Sequence, residues 1–192
     1  MNLALFDFDG TLTSKDSLGE FLKYSVSRDK YIINILKFLP LFTLYKLKLL
    51  RNDISKQRLF EIFYAGMDEN EFKQIAQDYS LNELDKIILK DRFALLKQHK
   101  KNGDRVLIVS ASMRSWMEPW CKKHDIELLS TELEFINSKV TGRFSTPNCY
   151  NEEKVNRIKK HLHVEEYKKI YAYGDSVGDD AMLALADEAT RY

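Results

Sequence analysis

Leu3-Ala4-Leu5-Phe6-Asp7-Phe8-Asp9-Gly10-Thr11 is the stretch that decides the reading of this chain. Residues 2–8 are apolar with one acid, too short for a helix and suited to a strand buried on both faces. Gly10 and Thr11 then punctuate the chain. Residues two apart in an extended chain point to one side, so Asp7 and Asp9 stand together at the end of a buried strand. Two carboxylates there repel and are desolvated, which a protein tolerates when a cation sits between them or one holds a proton. Carboxylate oxygens suit Mg²⁺, which takes one or two carboxylates plus waters and a substrate phosphate. Asp-x-Asp is common, and two surface acids at a turn would read the same. Its place after an apolar strand and before Gly-Thr favours a site.

Gly174-Asp175-Ser176-Val177-Gly178-Asp179 repeats the pattern after the apolar run Lys169–Tyr173. Strand ends on one side of a parallel sheet converge, so Asp175 can complete a metal site begun by Asp7 and Asp9. Asp179, one turn on, would be an indirect ligand or an orienting group. The alternative is a turn with Asp175 capping the next helix. Ser110 ends the strand Arg105-Val106-Leu107-Ile108-Val109, where a hydroxyl and the following backbone N–H groups can hold a phosphate oxygen or merely cap a helix. Lys154 lies near the start of a predicted helix, where an ammonium would help neutralise a phosphate or simply be solvated.

Outward from these points, strands alternate with helices, which implies an α/β fold around a mostly parallel sheet with helices on both faces. Asp16-Ser17 can cap a first helix, and Pro40 should end or kink the apolar run Ile32–Leu50. Asp68-Glu69-Asn70-Glu71 reads as a capping box, and helical pattern continues to Lys101 with a break near Asn82. Residues 113–124 read helical, Leu128-Leu129 as a short strand, and Leu133–Phe144 as a hairpin around Asn137-Ser138. Asn151 reads as a helix N-cap, and a last helix covers 179–186. No strand signal falls between 14 and 85, which gives an all-helical insertion between two parts of one core, 1–13 and 86–192.

Composition excludes several classes. Cys121 and Cys149 form no disulfide framework and lack metal-ligand spacing, as in a reducing cytoplasm. The N-terminus has no basic segment before its apolar run and is not a signal peptide. A net charge of +1 over 192 residues gives no case for nucleic acid. The charge is divided unevenly: residues 23–58 hold nine Lys/Arg against two acids, net +7, which leaves the rest at −6. Lys37, Lys46 and Lys48 interrupt the apolar run there too often for a transmembrane span. The segment is either a buried pair of helices with lysines that attract phosphates, or a surface for an anionic membrane at its cytoplasmic face.

Asp7-x-Asp9-x-Thr11, a strand ending in Ser110, Lys154, and Gly174-Asp175-Ser176-x-x-Asp179 together resemble the four motifs of the haloacid-dehalogenase-like superfamily. The helical insertion and residues 104–187 look like its phosphoserine-phosphatase-like branch, where such an insertion is a cap. The resemblance implies a phosphatase with Asp7 as covalent nucleophile and Asp9 as acid and base. It implies Mg²⁺ on the Asp7 carboxylate, the Asp9 carbonyl and the Asp175 carboxylate, with Asp179 behind them, and the phosphate on Thr11, Ser110 and Lys154. The substrate would be a small phosphorylated metabolite. Asp16 stands where phosphoserine phosphatases carry Glu, and Ser110-Ala111-Ser112 replaces their Ser-Gly-Gly. Arg51 and Arg58 are the candidates for their carboxylate-binding arginine, and Asn151 stands where relatives often have Gly. The apolar helix near Leu39-Pro40-Leu41 also resembles the cap of phosphatidylglycerophosphatase-type members, which makes a phospholipid head group the alternative substrate. A phosphotransferase would share every motif.

Overall fold

The computed structural model describes residues 1–192. Its centre is β1 (Leu3–Phe6), with all four residues buried. β2 (Arg105–Met113) and β6 (Ile170–Gly174) flank it in parallel, and β3 (Glu127–Thr131) and β7 (Glu188–Arg191) lie outside them, giving the order β3-β2-β1-β6-β7. Side chains alternate across the sheet. Leu3 and Leu5 face a core shared with Ile158, Met182 and Leu183, whereas Ala4 and Phe6 face one shared with Leu96, Trp116 and the insertion. The helices α5 (Lys90–Lys101), α6 (Arg114–Lys123), α7 (Glu152–His161) and α8 (Asp180–Ala184) thus cover both faces. The expected fold class is met, including the helical insertion.

The insertion comprises α1 (Ser17–Ser25), α2 (Arg28–Lys46), α3 (Asn52–Tyr64) and α4 (Glu69–Asn82). Asp16 caps α1 by accepting from the Gly19 N–H at 2.8 Å. Asp68 caps α4 through the N–H groups of Asn70 and Glu71. Phe21 of α1 stacks on Trp116 of α6 at 4.5 Å, and Phe60 of α3 stacks behind the same ring. Such pairs add about 0.5–1.5 kcal/mol beyond their buried area and fix the insertion against the sheet.

Three readings need correction. Pro40 lies inside α2 and does not end it. It is exposed, so the helix carries the proline on its solvent side. Asn151 makes no side-chain cap bond; it takes φ +49°, the left-handed conformation that glycine adopts freely. β7 has no sequence signal, because all four of its residues are exposed and carry no apolar alternation. The hairpin of β4 (Leu133–Ile136) and β5 (Lys139–Phe144) turns on Asn137 and Ser138, both at positive φ.

Candidate active site

In the order β3-β2-β1-β6-β7, the chain runs outward in both directions from β1, so the carboxyl ends of β1 and β6 border a topological switch point. Asp7 follows β1 directly, and its N–H donates to the Tyr173 carbonyl at 2.9 Å. Asp175 follows β6. The chain turns at Gly10, whose φ is +79°. A Cβ there would stand 2.3 Å from Asp175 Oδ2, so only glycine lets the two loops close on one another.

Lys154 is the hub. It reaches in from the first turn of α7 and is 1 % exposed. Its Nζ donates to Asp7 Oδ1 at 2.6 Å, Asp179 Oδ1 at 2.6 Å and the Val109 carbonyl at 2.7 Å. A buried ammonium is costly alone, but the Asp7 and Asp179 carboxylates reverse the balance and push its pKa above the usual lysine range. Burial pushes the Asp7 carboxyl up to about 7, against the pull of Lys154. Asp179 accepts from the Asp175 N–H, the Ser176 N–H and the Ser176 hydroxyl on its other oxygen, so both of its oxygens have donors.

Asp9 points towards the insertion. Its carboxylate accepts from the Ser17 N–H at 2.6 Å and from the Ser112 hydroxyl. Ser17 Oγ lies 3.0 Å from Ser112 Oγ and accepts from Trp116 Nε1 at 3.3 Å. Burial first, and the neighbouring Asp16 charge second, push the Asp9 pKa up to about 6.

These groups line a cavity of about 220 Å³ with Asp16, Asn52, Lys56, Ser110, Ala111 and Tyr150. A larger groove of about 420 Å³ beside Lys73 and Glu118 lies away from the carboxylates, so size alone does not locate the chemistry. Thr11 is not brought to the cavity. Its hydroxyl is buried and donates to Asp7 Oδ2 at 3.4 Å. Arg51 and Arg58 are likewise not brought in. Both are exposed, and they pair with Asp53 at 2.9 Å and Glu61 at 2.5 Å. Lys56 is the basic residue of α3 that lines the cavity: its Nζ donates to the Ala111 carbonyl at 2.9 Å, and burial pulls its pKa down while Asp16 and Asp9 oppose. The signal for Lys56 was its spacing, three before Leu59 and four before Phe60, the buried stripe of α3. Tyr150 carried no signal, because its ring is placed by contact with Gly178 far along the chain.

Carboxylate oxygens of Asp7, Asp175 and Asp179 lie within 4.8 Å of one another. An all-oxygen donor set fits a hard divalent cation. Asp179 accepts four hydrogen bonds and Asp7 two, so Asp7 and Asp175 are the side chains with more oxygen to offer.

Residues 4–184 match the model of the haloacid dehalogenase-like hydrolases. The chain belongs to this family. Among curated relatives, protein CicA of Caulobacter vibrioides is 29 % identical over 188 residues, covering 97 % of this chain and 83 % of its own. A histidinol-phosphatase of Neisseria meningitidis serogroup C is 24 % identical, covering 97 % and 88 %. A Bordetella pertussis Tohama I protein of unknown function has the same fold, with a TM-score of 0.82, 19 % identity, and coverage of 98 % and 88 %. A phosphoserine phosphatase solved as an analogue of its phospho-aspartyl intermediate superposes with a TM-score of 0.70 at 17 % identity, covering 98 % and 84 %. The expected superfamily is therefore met, as is a hydrolase, and the fold is shared with the phosphoserine phosphatase.

Proposed function

We propose that the protein is a Mg²⁺-dependent phosphomonoesterase that works through an aspartyl-phosphate on Asp7, with a small phosphorylated metabolite as substrate. The observation that carries this reading is the convergence of Asp7, Asp175 and Lys154 beside Ser110 at the switch point of the sheet. An Asp7 oxygen attacks phosphorus, and the bond from phosphorus to the ester oxygen breaks. Asp9 gives its proton to the leaving alkoxide, then takes one from water, which attacks the same phosphorus and frees Asp7 and phosphate. A carboxyl near pKa 6 exchanges protons in both directions at neutral pH, a role worth about 10²–10⁴-fold. Lys154 and the Ser110 hydroxyl bind phosphoryl oxygens. Mg²⁺, held by Asp7, Asp175 and the Asp9 carbonyl, would screen the repulsion between carboxylate and phosphate and polarise the phosphoryl group.

A polar cavity of about 220 Å³ suits a small leaving group. Asp16 and Lys56 present opposite charges to it, which favours an alcohol bearing an amine or a zwitterion. The histidinol-phosphatase and phosphoserine phosphatase names of the relatives point to substrates of that kind. Lys56→Gln is expected to lower kcat/KM by about 10–100-fold, the worth of one hydrogen bond to a charged group. Arg51→Gln and Arg58→Gln should stay within about twofold, as expected of exposed ion pairs. The reverse ranking would move the recognition site to the outer face of α3.

The deciding assay is phosphate release by purified protein from histidinol phosphate, phosphoserine, sugar phosphates and nucleoside monophosphates, with Mg²⁺ or with EDTA. Release from one of them that EDTA abolishes and Mg²⁺ restores supports the reading. Release unaffected by EDTA overturns the metal assignment, and no release from any ester overturns the activity.

A further inference from the structure

α2 is apolar on nearly every side. A helix on the surface of a protein normally turns a polar face to water. The inner side of α2, with Asn34 and Phe38 buried, packs on α3. Its outer side repeats the apolar pattern: Ile33, Leu36, Leu39 and Leu44, with Leu47 and Leu49 of the following turn, are between 41 % (Leu44) and 74 % (Leu49) exposed. Ile33, Leu36 and Leu39 follow at three-residue steps, as do Leu44 and Leu47, so two apolar rows form a stripe along the outer side rather than scattered single contacts.

The charges around the stripe decide what covers it. Lys30, Lys37, Lys46 and Lys48 flank it and join no ion pair, whereas the arginines of the adjoining helix pair with Asp53 and Glu61. A second copy docking about a two-fold axis would set lysines against lysines. An anionic bilayer interface offers what both features lack, acyl chains to the leucines and phosphates to the lysines. No helix is long and apolar enough to cross a membrane, so α2 would lie along it.

We propose that the outer face of α2 and the turn after it dock on an anionic lipid surface. This rests on the surface of the insertion and not on the phosphatase reading. The docked helix is tied to the cavity, because the Tyr45 hydroxyl of α2 accepts from Asn52 Nδ2 at 3.2 Å, and Asn52 lines the cavity with Lys56. Docking would therefore hold the cavity close to the bilayer.

The test is flotation of the full chain with vesicles of equimolar phosphatidylglycerol and phosphatidylcholine, and with phosphatidylcholine alone. The protein is expected to float with the first and stay behind with the second. Leu36→Gln with Leu39→Gln, and separately Lys37→Glu with Lys46→Glu, should each weaken partitioning at least about tenfold, given that one lysine near an anionic surface is worth about fivefold. Circular dichroism should show both variants folded, and their phosphate release from a soluble ester should equal that of the parent protein. Failure of the parent to float with anionic vesicles overturns the proposal, as does binding that neither pair of substitutions changes. Sedimentation velocity provides the other arm: a concentration-dependent dimer that the leucine pair dissolves would assign the stripe to self-association and overturn the membrane reading.

Discussion

Asp7→Asn is expected to lower turnover by about four orders of magnitude or more, as removal of a covalent nucleophile does. The substitution keeps the shape of the side chain and removes its charge. An amide nitrogen is no nucleophile toward phosphorus, and one amide oxygen holds a divalent cation far more weakly than a carboxylate. The fold should survive. Asp7 is 6 % exposed, burial pushes its carboxyl up to about 7 against the pull of Lys154, and Asp179 still pairs with Lys154 once Asp7 is neutral, so folding loses little with the Asp7 charge. The thermal midpoint is therefore expected to stay level or rise, which is the signature of a group kept for chemistry at the expense of stability. The measurements are steady-state phosphate release with Mg²⁺ and a thermal melt on the same preparation. Activity within about tenfold of the parent protein would remove Asp7 from the role of nucleophile.

What made Asp7 legible was local: a buried apolar strand, an acid where the strand stops, and a glycine just beyond. Gly10 follows the same logic, since its positive φ and its contact with Asp175 admit no side chain. Lys154 was harder. Nothing in Asn151-Glu152-Glu153-Lys154 separates it from the other basic residues of the chain; only the packing of α7 carries it to Asp7, 147 residues away. The left-handed turn at Asn151 helps to aim it, and the backbone there is fixed by a 2.7 Å bond from the Asn151 N–H to the Gly178 carbonyl. Specificity was the least legible part. The family resemblance points to Arg51 or Arg58, but charge on a helix is placed by its angle to the buried stripe. That angle puts Lys56 inside and leaves Arg58 in water. The outer face of α2 was readable as apolar and basic, but its exposure is a property of how α2 packs on α3.

Asp9, the proposed acid-base partner, depends on the insertion in a way that no single motif reveals. Asp9 is held by the first N–H of α1 and by Ser112, and Ser17 is held in turn by Trp116, the ring on which Phe21 and Phe60 stack. The packing that seats the insertion on the sheet is thus the packing that orients the Asp9 carboxylate. Ser112, in the place where the phosphoserine phosphatases carry glycine, adds a hydroxyl to this network.

Lys154→Met should destabilise the protein by about 3–5 kcal/mol, the usual result of removing one partner from a buried ion pair. Methionine fills a similar volume, so the loss is electrostatic and not a cavity. Asp7 and Asp179 would be left as two buried carboxylates without a cation between them. The pH dependence identifies the cause. In the parent protein, Asp179 feels burial, which raises its pKa, but Lys154 and the Ser176 groups hold it below its ordinary 3.8. A carboxyl depressed in this way adds stability above its unfolded pKa, and that stability is lost as pH falls through the folded value. In the variant, burial acts unopposed by the cation, and both carboxyls rise. A raised carboxyl costs nothing below its unfolded pKa and progressively more above it. The gap in thermal midpoint between the parent and Lys154→Met should therefore widen from mildly acidic to neutral buffer. A gap independent of pH would mean that packing, not charge, is what Lys154 supplies. Adding Asp179→Asn should recover part of the stability by removing one orphaned charge, because the two sites share a contact and their effects do not add. It should recover none of the activity, because Lys154 would still be missing from the phosphoryl oxygens.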